Sequence, residues 1–126
     1  MMVFESVGLE LVVNKIKLIL FGIYRPPHNC NESNFFSIFY DLLSKYLLKE
    51  KHCLVVGDLN IDWFSKNAST CKLQDLMHEF NLKQHVNSPT RVTSSSSTLI
   101  DHVLSNFNSE SLQVEVIGTG ISDHFA

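Results

Sequence analysis

Three short polar segments follow or interrupt apolar runs, and they carry the side chains best suited to chemistry. Gly57-Asp58-Leu59-Asn60 comes directly after an apolar run, Asp101 lies inside another, and Ser122-Asp123-His124 stands close to the end of the sequence. A carboxylate next to a buried strand loses hydration, so it needs a cation, a hydrogen-bond donor or a raised pKa. Three such carboxylates with an amide and an imidazole indicate a metal-assisted active site.

Each of these residues also has a structural interpretation. Asp58 and Asn60 suit an ordinary turn at the end of a strand, because both residue types favour turns for backbone reasons. Asp101 can pair with Arg91 or a lysine, and a histidine near a chain end, such as His124, is commonly solvated. The other histidines show no helix-face metal spacing and are expected to be surface or structural residues: His28, His52, His78, His85 and His102.

The composition sets limits on the fold and on the partners. With 126 residues, of which 44% are hydrophobic and 10% aromatic, the chain can bury one core. The net charge of -3 provides no global positive field for nucleic acid, although a phosphodiesterase site can be acidic before it binds metal. The three cysteines lack C-x-x-C spacing, so neither a disulfide framework nor a zinc site is expected.

Targeting segments are not apparent in the sequence. No apolar run approaches the roughly 18 residues of a transmembrane candidate, and the first five residues lack the basic start of a secretory signal. We therefore expect an intracellular protein, in the nucleus or the cytoplasm, without a membrane partner.

The elements that must position the polar segments begin with two strands. Apolar patterning predicts strands over Val7 to Val13 and Ile16 to Tyr24, paired antiparallel through a turn at Asn14-Lys15. The prolines of Arg25-Pro26-Pro27 then end the strand pairing, because proline has no N–H to donate.

A strand, helix, strand unit follows from the next stretch. Asn31 or Ser33 can cap a helix that ends at Lys49-Glu50-Lys51, and His52 to Val56 predicts the next strand. The predicted apolar face of this helix consists of Phe36, Phe39, Leu43 and Leu47.

The second half of the sequence predicts four further segments. They are a helix over Leu73 to Phe80, a surface loop over Asn87 to Ser97, and strands over Thr98 to Leu104 and Leu112 to Ile117.

Five motifs occur in order along the chain. They are Tyr24-Arg25-Pro26-Pro27, Gly57-Asp58-Leu59-Asn60-Ile61-Asp62, Pro89-Thr90-Arg91, Thr98 to Asn106, and Ser122-Asp123-His124. Each motif alone is weak, but the ordered series resembles that of the endonuclease/exonuclease/phosphatase superfamily. The Arg-Pro-Pro and Thr-Leu-Ile-Asp-His sequences are similar to those of the apurinic-type endonuclease domain of non-LTR retrotransposons.

The resemblance implies a fold as well as a chemistry. It predicts an α/β fold for residues 1–126, as one partial domain of a four-layered α/β sandwich. The sheets of this fold are mixed or mostly antiparallel, and helices flank them.

The resemblance also implies roles for the matching residues in a Mg²⁺-dependent or Mn²⁺-dependent DNA endonuclease. Asp58 would deprotonate the attacking water or serve the leaving oxygen. Asn60, on the same side of an extended segment, would hold that water or a phosphate oxygen. Tyr24 would place its hydroxyl against the phosphate.

The last motif supplies the remaining roles that the resemblance implies. His124 would donate to a non-bridging phosphate oxygen, and Asp101 would orient its imidazole. Asp123 would help to hold the metal ion or the attacking water. The partner implied is DNA, contacted at its phosphate backbone.

The match has two departures, and they leave alternatives open. No counterpart is found for the upstream strand with the metal-binding glutamate of the family, nor for the final strand. We therefore expect weak or absent activity from this chain alone, and self-association through exposed sheet edges. The alternatives are a non-catalytic remnant of a retrotransposon reading frame and a phosphoesterase for lipid or inositol phosphates.

Overall fold

The computed structural model describes residues 4–27, 32–47, 52–107 and 113–117, and the structural statements below concern these residues. Its elements are β1 (Glu5–Val13), β2 (Ile16–Tyr24), α1 (Glu32–Leu47), β3 (His52–Asp58), α2 (Ala68–Glu79), β4 (Lys83–Gln84), β5 (Arg91–Val92), β6 (Ser97–Thr98) and β7 (Asp101–Ser105). Neither helix in these ranges is long and apolar enough to cross a membrane.

Five of the strands form one mixed sheet in the order β1-β2-β3-β7-β4. β2 and β3 are parallel and are connected through α1, whereas the other neighbours in the sheet are antiparallel. Asn14 and Lys15 form the β1–β2 turn with φ of 51° and 68°, the left-handed values that tight hairpins use. The predicted α/β fold, the hairpin and the strand, helix, strand unit are confirmed.

The core lies between one face of this sheet and the two helices. Phe35, Phe39 and Leu43 are the fully buried residues of α1, at successive intervals of four. Of the predicted apolar face, Phe39 and Leu43 are fully buried, and Phe36 and Leu47 are partly buried and pack against the core. Two adjacent phenylalanines fit the periodicity about equally well, and the sequence pattern does not choose between them.

The second helix begins earlier than the predicted Leu73. Asn67 caps it, and its side chain accepts a hydrogen bond of 3.0 Å from the Thr70 backbone N–H. The buried Thr70 hydroxyl donates to the Asp62 carbonyl at 2.8 Å. This first turn is polar, so apolar spacing alone does not reveal it.

The predicted strand over Thr98 to Leu104 is divided in two. β6 pairs with β5 in a separate hairpin, within the stretch predicted as a loop, and β7 begins only at Asp101. The two residues between β6 and β7 donate their backbone N–H groups to side-chain oxygens instead of to a neighbouring strand. Leu99 N–H donates to Asp62 Oδ1, and Ile100 N–H donates to Thr90 Oγ1, each at 3.1 Å. Residues 113–117 adopt no strand, contrary to the prediction, and residue 112 lies outside the described residues.

The two faces of the sheet differ. Ile19, Phe21 and Ile23 of β2 point into the core beneath the helices. The side chains at alternate positions point the other way, and through the β1–β2 register they share that face with Val7 and Leu9. We call this second face, which also carries Leu11, Tyr24, Val56, Asp58 and Asp101, the open face.

Candidate active site

Three of the predicted site residues form a row across the sheet. Asp58 is the last residue of β3, and in the strand register it lies opposite Tyr24 of β2 and opposite Asp101 of β7. The row joins side chains from three separate motifs at one edge of the open face. The predicted residues Asp123 and His124 lie outside the described residues.

Gly57 allows the strands to approach closely beside this row. A Cβ atom at Gly57 would lie 1.8 Å from the carbonyl oxygen of Ile23 in β2. No side chain can occupy that space, so the glycine before Asp58 is required by the backbone contact.

Asn60 lies in a tight turn after β3. Its backbone φ is 50°, and its N–H donates to Asp58 Oδ1 at 3.0 Å. Leu59 between them is fully buried and donates its N–H to the Ile100 carbonyl at 3.0 Å. The prediction of an extended segment here was therefore wrong, because the Asp58 carboxylate turns the chain as in an Asx-turn.

The Asn60 side chain is held by the end of β2. Its Nδ2 donates to the backbone carbonyl of Arg25 at 2.6 Å. This hydrogen bond fixes the plane of the amide next to the Asp58 carboxylate, so the two side chains have a defined relation to each other.

Thr90 positions Asp101 and was given no role from the sequence. Its buried hydroxyl oxygen accepts hydrogen bonds from the backbone N–H groups of Ile100 and Asp101, both at 3.1 Å. The signal was present in the Pro89-Thr90-Arg91 motif, but the two partners of Thr90 are about ten residues away in sequence. Only the folded chain shows that this hydroxyl fixes the start of β7.

His102 lies directly behind Asp101, on the core side of the sheet. Its Nε2 donates to the Ile61 carbonyl at 2.9 Å, so its Nδ1 accepts from Gln84 Nε2 at 2.7 Å. Burial lowers the pKa of His102 to about 4, against the opposing effects of its bond to Ile61 and of the charges of Asp101 and Asp62. The prediction of a satisfied structural histidine is confirmed.

A groove of about 360 Å³ lies beside two residues of the row, Asp58 and Asp101. Asp58, Thr90 and Asp101 line it from the sheet side, and Val114 and Glu115 line it from the segment 113–117. Tyr24, the last residue of β2, is 42% exposed. The groove is lined by the carboxylates of Asp58, Asp101 and Glu115 and by several valines.

The described residues do not themselves complete a metal site. Within these ranges, no group of three or more histidine, cysteine, aspartate or glutamate side chains is arranged to hold an ion. Asp123, which was predicted to help to bind the metal, lies outside them.

Comparison with known proteins identifies a family from the sequence. The sequence model of a family described as endonuclease-reverse transcriptase matches residues 18–126. No curated protein matches the chain.

Several solved structures have a similar fold. The endonuclease domain of TRAS1, a telomere-specific non-LTR retrotransposon, has a TM-score of 0.74 at 19% identity, over 95% of this chain and 60% of that one. An endonuclease/exonuclease/phosphatase family protein from Leptotrichia buccalis C-1013-b has a TM-score of 0.64 at 17% identity, over 95% and 50%.

A mutant beta toxin from Staphylococcus aureus, solved with bound magnesium ions, has a TM-score of 0.51 at 13% identity, over 80% and 41%. Identities this low establish the fold alone. The chain spans half to three fifths of the length of the first two proteins.

Proposed function

Because the chain belongs to the endonuclease-reverse transcriptase family, we propose that the row of Tyr24, Asp58 and Asp101 is part of a DNA endonuclease site. The reaction proposed is hydrolysis of a backbone phosphodiester by an activated water molecule. The observation that supports it most directly is the strand register, which brings residues from three distant motifs to one edge of the open face.

The geometry suits the roles proposed for these side chains. A phosphodiester is anionic, so hydrolysis needs a base to aim the water and donors for the oxygens that gain charge. Asp58, fixed by the Asn60 N–H, would aim and deprotonate the water, and the exposed Tyr24 hydroxyl would donate to the phosphate. Asn60 would hold the water or a phosphate oxygen beside Asp58.

The last motif would complete the machinery. We propose that His124 donates to a non-bridging phosphate oxygen and that Asp101, fixed by Thr90, orients the imidazole. Asp123 would help to hold Mg²⁺ or Mn²⁺, consistent with the hard oxygen donors that these ions prefer. A bound cation would neutralise charge on the phosphoryl oxygens.

We propose DNA as the partner, contacted at its phosphate backbone inside the cell, in the nucleus or the cytoplasm. The chain alone is expected to act weakly or not at all, because no residue of it matches the metal-binding glutamate of the family and the cation supplies much of the transition-state stabilisation. A non-catalytic remnant of a retrotransposon reading frame, which binds DNA without cutting it, is the second candidate.

The proposal can be tested by plasmid nicking. Supercoiled DNA is incubated with the purified chain and Mg²⁺ or Mn²⁺, and the rate is compared with those of Asp58→Asn and of Asp75→Asn. Asp75 is an exposed carboxylate on α2, so its variant controls for the loss of one negative charge. Any nicking by the wild type should depend on the cation, and it should fall by roughly 10²-fold to 10⁴-fold in Asp58→Asn but not in Asp75→Asn.

Other outcomes separate the alternatives. Equal nicking by wild type and Asp58→Asn would indicate a contaminating nuclease and would contradict the proposal. Duplex binding without any nicking, measured by fluorescence anisotropy, would support the non-catalytic remnant. Release of phosphate from inositol phosphates without nicking would assign the site to a different phosphoesterase.

A further inference from the structure

We propose that the buried side chain of Arg25 is a positioning residue, which holds the Asp58-Leu59-Asn60 turn in place beneath the groove. The positioning role concerns only the fold, whereas its consequence for catalysis rests on the function proposed above. Hydrogen exchange tests the first, and nicking kinetics test the second.

Arg25 contacts three successive residues of the turn. Its backbone N–H donates to the Asp58 carbonyl at 2.9 Å, and its own carbonyl accepts from Asn60 Nδ2 at 2.6 Å. Its side-chain Nη1 donates to the carbonyl of Leu59, the residue between them, at 3.3 Å. Arg25, which directly follows β2, therefore contacts all three residues of the turn, and its side chain contacts the middle one.

The cation of Arg25 is costly to place there. Only 6% of Arg25 is exposed. Its Nε is buried and has no hydrogen-bond partner within the described part of the chain. Burial lowers the pKa of Arg25, because the charged form loses hydration, and the charge of Glu32 opposes this shift. An apolar side chain would fill the same space without that penalty, so packing alone does not account for an arginine.

The surroundings keep the guanidinium in one orientation. Its central carbon lies 5.1 Å from the centroid of the Phe35 ring, which is itself fully buried. Glu32 at the start of α1 accepts a hydrogen bond from Ser69 at 2.7 Å and pairs with Lys72 at 3.4 Å. Both helices therefore help to define the environment of the arginine, and through it the position of the turn.

The test measures amide hydrogen exchange by NMR in Arg25→Met, Arg25→Lys and the control Lys66→Met, which removes an exposed cation. The informative amides are those of Leu59 and Asn60, which donate to Ile100 O and to Asp58 Oδ1. In Arg25→Met their exchange should accelerate at least tenfold relative to amides in the middle of β3. Arg25→Lys should stay much nearer to wild type than Arg25→Met does, because an ammonium still carries N–H donors for the Leu59 carbonyl.

Two results would overturn the proposal: unchanged exchange at the turn in Arg25→Met, or a uniform acceleration throughout the sheet, which reports a general loss of stability. If Arg25→Met does not fold, Arg25→Gln is measured in its place, since glutamine keeps a polar group at the site but is two bonds too short to place a donor where Arg25 Nη1 lies. Accelerated exchange at the turn in that variant, with the middle of β3 unaffected, supports the proposal.

Nicking kinetics of the same variants distinguish this inference from the proposed function. If the wild-type chain cuts DNA, Arg25→Met should lower kcat at least tenfold and leave KM for DNA within twofold, because the buried side chain does not face the substrate. If the wild-type chain does not cut, the exchange pattern still decides the positioning role. A change in KM with kcat preserved would show that Arg25 acts through DNA binding, contrary to the proposal.

Discussion

The two faces of the five-stranded sheet differ in how they are covered. On the face beneath α1 and α2, Ile19, Phe21 and Ile23 are each 7% exposed or less. On the open face, Val7 and Leu9 of β1 are 64% and 52% exposed. The open face is also the one that carries Asp58 and Asp101.

The two faces of the sheet therefore contribute differently to the molecule. The covered face buries apolar side chains that define the fold, whereas the open face carries the exposed residues Val7 and Leu9 and the residues of the proposed site. Substitutions on the covered face should therefore change the free energy of unfolding, and those on the open face should change reactivity and association.

The largest expected effect compares one residue from each face. Phe39 is fully buried in α1, so Phe39→Ala should lower the free energy of unfolding by about 3–5 kcal/mol. Leu9→Ala, at an exposed position of β1, should lower it by less than about 1 kcal/mol. Urea denaturation followed by circular dichroism measures both, and similar losses would show that the open face is covered in solution.

The second prediction concerns how the stability depends on pH through His102, on the core side of the sheet. Since the pKa of His102 is lowered to about 4 in the folded chain, the unfolded chain binds more protons between pH 6.5 and 4. The stability should therefore fall as the pH falls through that window, by up to about 3 kcal/mol. Protonation also gives Nδ1 a hydrogen that opposes the Gln84 donor.

The charges near His102 come from Asp101 and Asp62, and both oppose the effect of burial on its pKa. His102→Gln should remove most of the slope of stability against pH, as measured by urea denaturation at several pH values. His78→Gln changes an exposed histidine of α2 and should leave the slope intact. A slope that survives in His102→Gln would have to arise from other groups.

A smaller effect is expected at Thr90, which lines the groove and accepts hydrogen bonds from the backbone at the start of β7. Thr90→Val keeps the shape and removes the acceptor of two backbone N–H groups, so it should cost about 1–3 kcal/mol of stability. Thr93→Val is the matched control, because Thr93 Oγ1 accepts from Ser95 and Ser96 in an exposed turn where water can replace it. Equal losses in the two variants would indicate that burial of the Thr90 hydroxyl does not matter.

The sequence was a good guide to the covered face and to the order of the motifs. Alternating and helical periodicity report burial directly, which is why the hairpin and the unit from β2 to β3 were predicted correctly. Phe35 and Phe36 show the limit of this signal: two neighbouring apolar residues fit one helical stripe about equally well, and only the structure shows that Phe35 is the fully buried one.

The errors of prediction have a different physical origin. The break before β7 and the early start of α2 depend on side-chain oxygens of Thr90, Asp62 and Asn67 that accept backbone N–H groups. Such bonds compete with regular pairing and leave no trace in hydropathy. The role of Arg25 was also hidden, because its partners lie 33 to 35 residues further along the chain.

The smallest expected effect on stability comes from a substitution on the open face that tests whether this face makes chains associate in solution. β1 is an outer strand of the sheet, with Val7 and Leu9 exposed, so one chain should associate with another at high concentration. Sedimentation velocity should show this association for the wild type and much less of it for Leu9→Lys, while the free energy of unfolding changes by less than about 0.5 kcal/mol. Ile38→Lys places the same charge at an exposed apolar position of α1, on the other side of the molecule, and should leave association unchanged. If both variants reduce association equally, added charge alone is the cause, and the contrast between the two faces does not extend to self-association.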